Sequence, residues 1–190
     1  MKQLIVALSL MIVSHFAYSQ DEEFLIQENQ AGIFKVGEDI PRVDARGLFY
    51  RMEEKFDVVS TPDGDIEVPY VLFSIDGENL VKLALELDHS IGAYTDEIKE
   101  ITVLSPKYKT AKGIGVGSSI ENFIEQYADY KLWYTYISDM YVIDTKTLKS
   151  TQFLLNGEDY VEEVDFDNDY TPLLESKFKE GAKIQTIRFF

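Results

Sequence analysis

The chain has 190 residues, a formal net charge of −16, no cysteine and two histidines. The missing thiols exclude a disulfide framework, cysteine-ligated zinc and a cysteine nucleophile. One histidine, His15, lies in a segment read below as a removed leader, so only His89 is left for a Ser-His triad or a multi-histidine metal site, and neither is expected. At 45% hydrophobic and 27% charged, the composition is that of a globular chain, one domain or two small halves sharing a core.

Residues 1–19 have the three parts of a secretory signal. Lys2 supplies the positive start, and Leu4 to Val13 is an apolar run broken only by Ser9. That run is short of the roughly 20 residues a membrane-spanning helix needs. Ala17-Tyr18-Ser19 places small residues at −3 and −1 of a cut before Gln20, and the acidic Asp21-Glu22-Glu23 follows. No cysteine stands at the cut, so a bacterial lipoprotein anchor is not expected, and no later stretch has membrane-spanning length. The expected product is exported and soluble, periplasmic or released. Without Lys2 it holds 17 basic against 34 acidic residues, a net charge of −17. Such a field repels nucleic acid and anionic lipid, and it favours cationic or calcium partners.

After an N-terminal extension, residues 20–31, the chain reads as two tandem units, 32–106 and 107–190. Val36-Gly37 with Ile40 recurs as Val116-Gly117 with Ile120, an offset of 80. Ile75-Asp76 with Leu80 recurs as Ile143-Asp144 with Leu148, an offset of 68. Ile98, Ile101 and Val103 recur as Ile184, Ile187 and Phe189, an offset of 86. Each unit then reads as a helix followed by an antiparallel meander.

In the first unit Leu48, Phe49, Met52 and Phe56 suggest an apolar helical stripe. Asp76-Gly77-Glu78-Asn79 is a turn between Val71–Ile75 and Leu80–Leu87. Val81, Leu83, Leu85 and Leu87 alternate there with Lys82, Ala84 and Glu86. In the second unit Ser118 and Glu121 form a capping box. Ile120, Phe123, Ile124 and Tyr127 follow at helical spacing. Asp144-Thr145-Lys146-Thr147 is the matching turn, and Thr151, Phe153 and Leu155 continue the alternation. The expected fold class is α+β, two helices covering one sheet face and leaving the other for solvent or a partner.

The stretch GIGVGSSIENFIEQY, Gly113 to Tyr127, followed by a strand meander, resembles the leading helix of the β-lactamase-inhibitor-protein-like superfamily. The outer-membrane assembly lipoproteins of the small-protein-A type share that unit. The inhibitors are tandem duplications of it, so the resemblance extends over residues 32–190. It implies a fold and a general protein-binding role, with no named target or contact residue. The chain departs from both groups in having no cysteine. The inhibitors carry disulfides, and the lipoproteins need an acylated cysteine.

Several constellations invite specific chemistry. Gly113, Gly115 and Gly117 precede a helix, with Lys107, Lys109 and Lys112 upstream, but neither a Walker loop nor a dinucleotide fingerprint is present. A glycine-rich linker is the simpler reading. Asp165, Asp167 and Asp169 alternate like the first ligands of a calcium loop. Tyr170 and Ser176 stand where that loop needs glycine and glutamate. These aspartates lie in an acidic insertion that makes the second unit longer, and insertions in repeats often host binding. Trp133, Tyr134, Tyr136 and Tyr141 crowd the first strands of the second meander. Strand alternation forbids Trp133 and Tyr134 from sharing one core, so some rings face outward as binding anchors. Carboxylate-only catalysis of the glycosidase kind has no distinguishing signal among 34 acids. The sequence therefore points to a non-catalytic, exported protein-binding protein with an inhibitory or scaffold role, no cofactor and a basic protein partner. A calcium- or ligand-binding module at Asp165–Asp169 is the alternative, and a small hydrolase is the third.

Overall fold

The structure, a computed structural model, describes residues 22–41, 50–61, 64–164 and 168–190. Its strands, in chain order, begin with β1 (Leu25–Gln27), β2 (Gln30–Ala31) and β3 (Phe34–Lys35). Four long strands follow: β4 (Arg51–Thr61), β5 (Gly64–Ile75), β6 (Glu78–Asp88) and β7 (Ala93–Val103). After β8 (Lys109–Thr110) and helix α1 (Ile120–Gln126) come β9 (Tyr130–Thr135), β10 (Met140–Thr145), β11 (Thr151–Leu155), β12 (Thr171–Pro172) and β13 (Ile184–Phe189). Nine strands form one antiparallel sheet in the order β12-β9-β10-β11-β13-β7-β6-β5-β4. The short strands form a second sheet, β3-β2-β1-β8, in which only β1 and β8 run parallel.

The expected α+β class is corrected by this arrangement. Strand accounts for 53% and helix for 8%, and α1 is the one helix of seven or more residues among those described. Leu48 and Phe49 lie outside the described residues, while Met52 and Phe56 belong to β4. A spacing of four suits a helix turn, but it also suits two strand periods. The intervening residues decide. Arg51, Glu53, Lys55 and Asp57 alternate with Met52, Phe56 and Val58, a period of two that ends in β-branched Val58-Val59. One helix and the small sheet, not two helices, cover the core face: Ile120 and Phe123 of α1 pack there with Ile26, Ala31 and Phe34. They close over Phe73, Leu83, Ile101, Phe153, Ile187 and Phe189, all fully buried.

Local chemistry sets the elements. Asp76 and Gly77 both have positive φ, +51° and +82°, the type I′ requirement for a two-residue turn between β5 and β6. The start of α1 lies one residue later than the expected capping box. Ser119, not Ser118, is the N-cap, its Oγ accepting from the Asn122 amide at 3.2 Å. The Ser118 hydroxyl accepts instead from the Gly115 amide at 3.0 Å.

The same main-chain bonds occur in both halves. The Gly37 amide donates to the Ile98 carbonyl at 2.8 Å, and the Gly117 amide donates to the Ile184 carbonyl at 2.8 Å. Ile98 donates back to Glu38 and Ile184 to Ser118, each at 2.9 Å. Ile40 donates to Asp96 at 2.9 Å and Ile120 to Ala182 at 3.0 Å. Gly37 and Gly117 have φ of +80° and +81°. The halves meet where β7 pairs with β13: Ile101 faces Phe189, Thr102 faces Arg188, and Val103 faces Ile187.

Candidate binding face

The four predicted anchor rings divide between the two sides of the sheet. Tyr134 and Tyr141 are cross-strand partners on the core side, with ring centroids 4.8 Å apart. Tyr134 is buried, and its hydroxyl donates to the Asp139 carboxylate at 2.8 Å. That hydrogen bond, then burial, pushes the phenol up to about 12. Tyr141 packs on the Gly157 backbone, where a Cβ would fall 2.6 Å from its ring, and its own phenol is raised by burial. Tyr136 is exposed beyond the end of β9. Trp133 alone of the four lies within a strand on the opposite face.

That face is the candidate site. Trp133 is half-buried, its Nε1 donating to the Asp144 carboxylate at 2.8 Å. Tyr170, from the segment leading into β12, stacks on the indole at 4.9 Å and 22°. β12 holds that segment in place by pairing Thr171 with Tyr134 and Pro172 with Trp133. Beside the indole, a concavity of about 240 Å³ is lined by Trp133, Met140, Gln152, Arg188 and Phe190 among others.

Arg188 is the electrostatic centre of the concavity. Its Nη2 pairs with the Glu100 carboxylate at 2.5 Å, and its guanidinium lies 5.8 Å from the Phe190 ring. Nη1 reaches the Met140 sulfur at 3.8 Å. Two polar atoms are left over. Arg188 Nε and Gln152 Oε1 are both buried without a partner, and these residues face each other across β11 and β13. The pair is a donor and an acceptor side by side, the complement of one peptide group. Sequence reading missed both residues, because β11 and β13 are brought together across a long insertion and only the register makes them neighbours.

The remaining candidates are placed as follows. Asp165 and Asp167 lie outside the described residues, and Asp169 is exposed. Among the described residues, no group of three acidic, histidine or cysteine side chains could hold a metal. In the glycine segment, Gly115 is required by close approach, since a Cβ there would lie 2.1 Å from the Tyr108 carbonyl. The nearby lysines are taken up within the chain. Lys107 pairs with Glu78 at 2.9 Å, Lys109 donates to the Val116 carbonyl at 3.2 Å, and Lys112 donates to the Gln126 carbonyl at the end of α1 at 2.6 Å. Burial lowers the Lys109 ammonium from its ordinary value. No helix of the described residues is long and apolar enough to cross a membrane.

No family model matches the chain, and no curated protein matches it. Among solved structures, it is similar to the uncharacterized protein yfeY from Escherichia coli, at 12% identity and a TM-score of 0.49, over 85% of this chain and 97% of that one.

Proposed function

We propose that the protein is an exported, non-catalytic protein-binding module that holds a peptide segment of its partner on the open sheet face. The orphan pair of Arg188 Nε and Gln152 Oε1 carries this reading. A buried donor and a buried acceptor each cost about 1–3 kcal/mol when left unmade. A partner's carbonyl and amide, placed in the concavity, would satisfy both. The surrounding Trp133, Tyr170, Met140 and Phe190 are the residue types that dominate binding energy at such sites. The acidic surface would steer a basic partner. We further propose that the two meanders descend from one copied unit, in kinship with the β-lactamase-inhibitor-protein-like superfamily. The repeated bonds of Gly37 and Gly117 support this.

The test is crosslinked capture from envelope fractions, followed by titration of the captured partner. Trp133→Ala with Arg188→Ala should weaken affinity at least tenfold while the melting curve stays cooperative. Unchanged affinity would remove the open face from consideration. Tyr134→Ala is unsuitable for this test, since that ring belongs to the core.

A further inference from the structure

The two ends of the nine-stranded sheet are finished differently. At one end β9 is covered by β12, a two-residue strand ending in Pro172, which has no N–H to extend a ladder. At the other end β4 presents eleven residues, and no described strand pairs with its outer side. Met52, Phe56 and Val58 are exposed along it, at 54%, 58% and 65%. A long edge of this kind is a template for another strand.

The residues of β4 state which strand. A two-fold axis normal to the sheet requires that each residue face a residue on the same side, so the axis must pass beside one residue and its copy. Centred on Glu54, the pairing sets Arg51 opposite Asp57, Met52 opposite Phe56, and Glu53 opposite Lys55, each occurring twice. Centred on Lys55 it would set Glu53 against Asp57, and centred on Glu53 it would set Arg51 against Lys55. A centre at Phe56 keeps only the Lys55 and Asp57 match. The Glu54 register thus gains two kinds of opposite-charge pair and an apolar pair, against one like-charge contact at the axis. Within one chain these charges make only exposed pairs, Arg51 with Glu53 at 2.6 Å and Lys55 with Glu53 at 3.2 Å, which are readily exchanged.

We infer that β4 is a homodimerisation edge, pairing antiparallel with β4 of a second copy about Glu54 to form one continuous sheet. This edge is remote in the strand order from the Trp133 face, and the inference does not rest on the function proposed for that face.

The experiment is sedimentation of the full mature chain over a concentration series at physiological ionic strength, where the repulsion of two acidic chains is screened. The wild type should show a monomer–dimer equilibrium. Glu53→Lys and Lys55→Glu should each raise the dissociation constant about tenfold, because each turns two attractive pairs into repulsive ones. The double variant restores both pairs with signs reversed and should recover wild-type association. Trp133→Ala with Arg188→Ala should leave the equilibrium unchanged. A chain that stays monomeric throughout, or a double variant no better than the singles, overturns the inference.

Discussion

Thr102 lies opposite Arg188 on the two central strands, and the pairs on either side, Ile101 with Phe189 and Val103 with Ile187, exchange under a two-fold rotation about that point. The seam therefore joins the last strand of one meander to the last strand of the other. It also places Arg188 at the middle of the open face, with Glu100 from the first half paired to it. The candidate concavity is thus built beside the line where the halves meet, and its arginine is held from both sides.

The twin glycines give the first prediction. Gly37 and Gly117 each hold a left-handed conformation while donating to the final strand of their own half. A Cβ in that region costs roughly 1–2 kcal/mol. Gly37→Ala and Gly117→Ala should each destabilise by about that amount, and the double variant should show their sum, since distant sites add. Urea denaturation measures all three. A loss at one glycine and none at the other would mean that the matching bonds differ in worth.

The cap of α1 gives the second. Ser119→Ala removes the bond to the Asn122 amide and should cost about 1 kcal/mol. The Ser119 hydroxyl also holds the Glu121 carboxyl below its ordinary value. A lowered carboxyl contributes stability above its unfolded value, roughly 4.3, and loses it as pH falls through the folded value. The gap between wild type and Ser119→Ala should therefore narrow on acidification, as followed by thermal melts from pH 7 downward.

Much of this was legible before folding was considered. Asp76-Gly77 between alternating apolar runs fixes β5 and β6, and the 3.6-residue stripe from Ile120 to Tyr127 fixes α1. Period-two alternation alone sends Trp133 and Tyr134 to opposite faces. The small sheet was not legible, because strands of two or three residues such as β2 and β3 are too short to show a period. β4 was mistaken for a helix because Met52 and Phe56 satisfy both periods. The orphan pair of Gln152 and Arg188 depends on the β11–β13 register, which the chain order does not announce.

Tyr108 supplies a third prediction, on the core side. The ring is fully buried, edge-on to Phe24 at 5.2 Å, and its hydroxyl has no partner. Burial raises this phenol far above its ordinary value. A desolvated hydroxyl without a hydrogen bond opposes folding, so Tyr108→Phe should be neutral or stabilising by up to about 1 kcal/mol. A rise in melting temperature would agree. A loss of more than that would reveal a water or side chain satisfying the hydroxyl.

Tyr134 contrasts with Tyr108, because its hydroxyl is satisfied by Asp139. Its phenol, pushed up to about 12 by that bond and by burial, ionises later in the fold than in the unfolded chain. The sign follows directly. A raised folded value means that the unfolded chain gives up its proton first, so stability from this group is complete below about 10 and is lost as pH rises towards about 12. Tyr134→Phe keeps the ring against Tyr141 and removes the titrating proton. It should lower stability at neutral pH by breaking the bond to Asp139, yet lose less between pH 10 and 12 than the wild type does. Denaturant midpoints measured across that alkaline range should converge. Parallel curves would mean that the Tyr134 hydroxyl and the Asp139 carboxylate are not coupled in solution.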